Sequence, residues 1–102
     1  MTNRLVQIAV NKARQSACTY KVSAVGLNRR GEVIYTAMNR SRFMYKGGGV
    51  HAEMECMLKA GPGLRTIILC RVGGKGDILP IKPCETCQQK ADELGIKIRT
   101  VL

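Results

Sequence analysis

The chain has 102 residues, 45% of them hydrophobic, a size that predicts one domain (residues 1–102) burying roughly two-thirds of its unfolded surface. Its 17 Lys and Arg against 7 Asp and Glu give a net charge of +10, concentrated in residues 1–50, where nine basic residues face one acid, Glu32. No apolar run approaches the ~20 residues of a membrane span, and the start Met1-Thr2-Asn3-Arg4 lacks the apolar stretch of a signal peptide. Five cysteines without a secretory leader argue against a disulfide scaffold, so the expected setting is the reducing cytoplasm, with the thiols free or bound to metal. The charge favours an anionic partner such as a phosphate-bearing metabolite, nucleic acid or a membrane surface.

In chain order, Thr2 to Ala17 predicts an amphipathic helix: Leu5, Ile8, Ala9, Ala13 and Ala17 recur at helical spacing, and Thr2 can cap its start. Val22–Leu27 and Glu32–Met38 read as two strands joined by Asn28-Arg29-Arg30-Gly31, a hairpin loop in which Gly31 supplies a positive φ. Ser41 to Val50 is expected to be a loop, basic and aromatic first, then Gly47-Gly48-Gly49. A second helix starts near His51 and stops before Gly61-Pro62-Gly63. Thr66–Val72 is a nearly unbroken apolar run, as in a strand covered on both faces. After a glycine-rich loop, Cys84–Leu94 predicts a third helix closed by Gly95, and Ile96, Ile98 and Val101 suggest a last strand. This order predicts an α/β fold, a three-layer α/β/α sandwich with a mixed sheet of about four strands and at least one parallel pair.

The sole histidine lies in His51-Ala52-Glu53, and the sole Cys-x-x-Cys in Pro83-Cys84-Glu85-Thr86-Cys87. Alone, His51 reads as a helix cap or packed side chain as readily as a ligand. The cysteine pair alone reads as a zinc half-site, a redox pair or coincidence. Together, a Glu two after the only His and a Pro before the only Cys-x-x-Cys arise by chance about 3 times in 10,000, which points to a built site. Cys84 and Cys87, three apart, share one face of a helix's first turn, about 5–6 Å between Cβ atoms, and can converge on one ion. The helix N-terminus favours their thiolates. With the His51 imidazole they make three ligands for one Zn2+, which leaves a tetrahedral ion one position for water, as in a catalytic site. Glu53 is not needed as a ligand and can exchange protons with that water. Cys56 and Cys70 read as small core residues, and Cys18 carries no signal.

His-x-Glu followed by Pro-Cys-x-x-Cys resembles the zinc signature of the cytidine deaminase superfamily. The order of helices and strands is similar to the core of that fold over nearly all of residues 2–102. The resemblance implies a compact cytidine-deaminase-like fold, with one Zn2+ held by His51, Cys84 and Cys87. It further implies that zinc-activated water attacks C4 of cytosine (or C6 of adenine) while Glu53 shuttles protons and ammonia leaves. It also implies that Asn39 contacts the sugar or base, and that the Ala52 N–H meets the pyrimidine carbonyl. Family members usually carry a fifth strand and more helix beyond the point where this chain stops, so a sheet edge or helix face is left less covered and a homo-oligomer is expected.

For the substrate, Arg40–Lys46 mixes cations with aromatics, and Arg42, Phe43 and Tyr45 are candidate contacts to a 5′-phosphate or a polynucleotide; a plain basic loop is the alternative. Four aromatics in the chain are few for an extended stacking groove. Gly73-Gly74-Lys75-Gly76 lacks the spacing and the Ser or Thr of a phosphate loop. The expected substrate is a cytosine nucleotide or nucleoside, with the charge favouring dCMP or CMP over cytidine. The alternatives are an editing deaminase acting on tRNA adenosine or single-stranded cytosine, and a non-catalytic zinc-stabilised nucleic-acid-binding module. No membrane partner is expected.

Overall fold

The computed structural model describes residues 2–41 and 49–102. Helix α1 (Asn3–Arg14) opens where the Thr2 side chain accepts the Leu5 N–H at 3.2 Å, the expected cap. It is shorter than its periodicity predicts. Gln15 and Ser16 turn back onto the carbonyls of Lys12 and Ala13, and the buried Ser16 hydroxyl donates to the Asn39 carbonyl and side-chain oxygens. That polar anchor draws the chain out of the helix before Ala17.

Strands β1 (Lys21–Leu27) and β2 (Val33–Met38) form the expected antiparallel hairpin, with Gly31 at φ 81° in its turn. Two short strands, β3 (Arg40–Ser41) and β4 (Gly49–Val50), pair with each other at the margins of the segment expected to be loop throughout. Helix α2 (Ala52–Lys59) ends at Ala60, and Gly61 follows at φ 88°. Strand β5 (Thr66–Val72) is the centre of the main sheet. Along one edge it pairs antiparallel with β1, and the other edge is shared between β6 (Ile78–Leu79), antiparallel, and β7 (Lys97–Thr100), parallel. Helix α3 (Glu85–Leu94) makes the crossover from β5 to β7 and closes on Gly95 at φ 70°, with the Ile96 N–H bonding back to the Ala91 carbonyl.

The main sheet has five strands and is mixed, its one parallel pair being β5 with β7. The expectation of about four overlooked β6. Two residues between a glycine-rich turn and Pro80 carry no periodic signal, and the pairing exists because Gly73 N–H bonds the Asp77 carbonyl and folds β6 back onto β5. That turn is what Gly73–Gly76 builds.

Alternation along β1 and β5 divides the core into two. Val22, Ala24, Ile67 and Leu69 face α2 and α3, joining Ala52, Cys56, Met57, Cys87 and Ala91. Val25, Leu27, Ile68, Cys70 and Val72 face α1 and pack on Ala9, Val10 and Ala13. This is the three-layer sandwich that the apolar run Thr66–Val72 predicts. Gly26 lies on the α2 side, where an added Cβ would come 2.7 Å from the Cys56 sulfur, so the close approach of α2 to β1 requires glycine there. Among the described residues, no helix is long and apolar enough to cross a membrane.

Candidate active site

Two helix N-termini make the site. His51 is the N-cap of α2 and Cys84 the N-cap of α3, both with extended backbone. His51 makes no side-chain cap bond, and its ring is turned to α3 instead. Its Nδ1 lies 3.3 Å from Cys84 Sγ and 3.5 Å from Cys87 Sγ. The Cys84 sulfur also accepts the Cys87 N–H at 3.4 Å, which holds the two thiols on one turn.

This trio fits a zinc ion. One nitrogen and two sulfurs, all within 4.8 Å of one another, form the metal-competent group. Two sulfurs and a nitrogen at the corners of a tetrahedron around zinc stand about 3.6–3.8 Å apart. The protonation chemistry agrees. Burial first, then the hydrogen bond and charge of Cys84 and the charge of Glu53, push the Cys87 thiol well above its ordinary value. Two sulfurs, Cys87 buried and Cys84 partly so, beside a carboxylate form a place where a dication replaces protons.

Glu53, two residues into α2, is 5% exposed. Burial raises its pKa, while its own backbone N–H and the neighbouring His51 act in the opposite direction. A buried carboxyl that holds its proton more tightly than a free one has the chemistry of a proton carrier. Ala52, fully buried, brings a first-turn N–H that the helix itself leaves without an acceptor.

Asn39 is placed differently from a free binding residue. Its Oδ1 accepts from the Ser16 hydroxyl at 2.7 Å and from Val22 N–H at 2.9 Å, and its Nδ2 donates to the Tyr20 carbonyl at 2.5 Å. The side chain thus ties the end of α1 and the start of β1 to the end of β2. Arg42, Phe43 and Tyr45 lie outside the described residues.

Sequence reasoning missed the support beneath α2. Glu55, in the same turn as Glu53, reads as a solvated helix-start acid, yet it is 9% exposed. It is ion-paired to Arg40 of β3, accepts the Tyr35 hydroxyl at 3.4 Å, and has the Lys59 ammonium at 3.9 Å. Burial, then the charge of Glu55, raises the Tyr35 pKa. Arg40 pairs with Val50, the residue before His51. A short closed circuit therefore runs from Arg40 through β4 and His51 to Glu55 and back. No spacing rule would have found it, because it depends on pairing between β3 and β4.

The sequence of the whole chain, residues 1–102, matches the family model described as the cytidine and deoxycytidylate deaminase zinc-binding region. The chain belongs to that family. Solved structures agree. Cytidine deaminase from Mycobacterium leprae superposes with a TM-score of 0.67 at 26% identity, over 98% of this chain and 89% of that one. Cytidine deaminase from Mycobacterium tuberculosis superposes with a TM-score of 0.66 at 25% identity, over 100% of this chain and 86% of that one. A comparison with curated proteins gives no match. The fold expected from the resemblance is therefore the fold observed, and the His/Cys/Cys group sits in a zinc-binding deaminase domain.

Proposed function

We propose that the chain is a zinc-dependent hydrolytic deaminase that converts a cytosine nucleotide or nucleoside to its uracil form with release of ammonia. The observation that carries this is the buried Glu53 beside the converged His51, Cys84 and Cys87. In this reading His51, Cys84 and Cys87 hold one zinc ion per chain. Zinc, when bound, supplies the Lewis acidity that makes water a nucleophile near pH 7. Glu53 takes a proton from the water that adds at C4 and gives it to the ring nitrogen, then takes the second proton from the new C4 hydroxyl and delivers it to the amino group, which departs as ammonia as the C4 carbonyl forms. The Ala52 N–H donates to the pyrimidine carbonyl oxygen, and Asn39 offers its remaining amide hydrogen to the sugar. Arg42, Phe43 and Tyr45 complete the proposed substrate contacts. A homo-oligomer is part of the proposal: β2 is an edge strand, and its Val33 and Ile34 are exposed.

A panel of zinc-loaded protein with cytidine, deoxycytidine, CMP, dCMP, adenosine, a cytosine-bearing single strand and a tRNA anticodon stem tests this, read by ammonia release. Conversion of the cytosine monomers is expected. Conversion of the polynucleotides alone would replace the proposal with an editing deaminase, and inertness towards all of them would remove the enzyme.

A further inference from the structure

Arg71, near the end of β5, is half-buried, and its guanidinium lies 3.9 Å from the centroid of the Tyr20 ring. Among the described residues the ion pairs join Arg40 and Lys59 to Glu55, and Arg71 takes part in neither. A partly desolvated cation whose partner is an aromatic face, and no carboxylate, keeps its capacity for an anion.

The register says where that capacity is directed. Arg71 pairs with Val22 on one side and Leu79 on the other. Ile67 and Leu69, four and two residues earlier on the same strand, belong to the core under α2 and α3, as does Val22. Alternation puts Arg71 on that face. It also stands at the end of the sheet where β1 begins, β2 ends, and the β3–β4 ribbon leads into His51. From the same end β6 leads into Cys84. Arg71 and Tyr20 thus share a face and an end with the two helix starts that build the site. Tyr20 is 48% exposed, and Asn39 holds its backbone through the Tyr20 carbonyl.

We propose that Arg71, supported on Tyr20, reads a phosphate of the substrate, so that the preferred substrate is a phosphorylated cytosine nucleotide over the free nucleoside. This rests on the deaminase reading above. A guanidinium lying over a ring keeps its N–H fork free at the edge, the geometry that takes two phosphate oxygens at once. The +10 charge draws the same class of ligand towards the protein. The phosphate is the nucleotide's own 5′ group, either free or as the diester that joins it to the preceding nucleotide of a strand. The chemistry at Arg71 is the same.

The test compares wild type, Arg71→Gln and Arg71→Lys on CMP, dCMP, cytidine and a 5′-hydroxyl trinucleotide with central cytosine, with zinc content and melting temperature measured alongside. In Arg71→Gln the ratio of kcat/KM for CMP over cytidine falls about 10- to 100-fold, carried by KM, and Arg71→Lys recovers part of it. A matching fall for the trinucleotide assigns the strand diester, and a fall for CMP and dCMP alone assigns the free 5′ group. An unchanged ratio, or one lost only together with zinc or folding, overturns the proposal. Calorimetry of CMP against cytidine on Glu53→Gln, with and without Arg71→Gln, judges Arg71 independently of turnover. Equal affinities for the two ligands with Arg71 present also overturn it, whereas nucleotide preference without any turnover in wild type would sink only the deaminase reading.

Discussion

The imidazole Nδ1 of His51 lies 3.3 Å from the sulfur of Cys84, thirty-three residues further along the chain. The contact joins the starts of two helices on the same face of one sheet, and it leaves the α2 N-terminus without a side-chain cap. The imidazole is turned to the cysteines and makes no local cap. Replacing Cys84, Cys87 or His51 by Ser or Ala should abolish stoichiometric zinc and lower the melting temperature. A chelator should lower the melting temperature of wild type towards that of the substituted chains. Metal analysis and thermal melting of the same samples check this, and a chain that keeps zinc after Cys87→Ser would place the metal elsewhere.

Asn39 should prove structural in the absence of any ligand. Asn39→Ala removes one of the two acceptors of the Ser16 hydroxyl, the side-chain acceptor of the Val22 N–H and a donor to the Tyr20 carbonyl. A loss of about 1–3 kcal/mol in urea unfolding is expected. A variant of wild-type stability would show that these bonds are replaced by water at no cost.

Gly26→Ala should destabilise by about 1–3 kcal/mol through overpacking. The new Cβ would stand 2.7 Å from Cys56 Sγ and 2.8 Å from Leu64 Cδ1. Cys56→Ala in the same chain removes one of the two clashes and should recover part of the loss, a coupling that a double-mutant cycle measures.

Stability should decline in alkali. Burial, then the charges of Glu55 and Glu53, push the Cys56 thiol from its ordinary 9.0 up to about 12. Between those values the unfolded chain has lost that proton and the folded chain keeps it, so unfolding becomes easier as pH rises, by about 1.4 kcal/mol per pH unit for one such group. Cys70, also raised by burial, acts in the same direction. Urea midpoints from pH 8 to 10.5 should fall, and Cys56→Ala should flatten the fall. A flat wild-type profile would contradict it.

What the sequence showed and what it hid follow from the range of the interactions. Thr2 and Gly95 act within a turn, and both ends they predict are present. The apolar run Thr66–Val72 announces a strand covered on both faces because Ile67 and Leu69 meet one helix layer and Ile68, Cys70 and Val72 the other. The convergence of His51 with Cys84 was legible only because two rare motifs occur once each. By contrast, the early end of α1 depends on Ser16 meeting Asn39, twenty-three residues away. The Arg40–Glu55 pair and the stacking of Arg71 on Tyr20 depend on strand register. Each of these residues has an ordinary local explanation, as a loop cation, a helix-start acid or a strand end, and nothing nearby in sequence contradicts it.

The central claim is that Glu53 moves the proton at a site whose zinc it does not hold. The most direct measurement is ammonia release from CMP, dCMP and cytidine by wild type and Glu53→Gln, with zinc quantified in the same preparations. The account predicts equal zinc in both proteins, deamination by wild type, and a rate in Glu53→Gln lower by about 100- to 10,000-fold. Equal rates in the two proteins, or loss of zinc together with activity in Glu53→Gln, would contradict it.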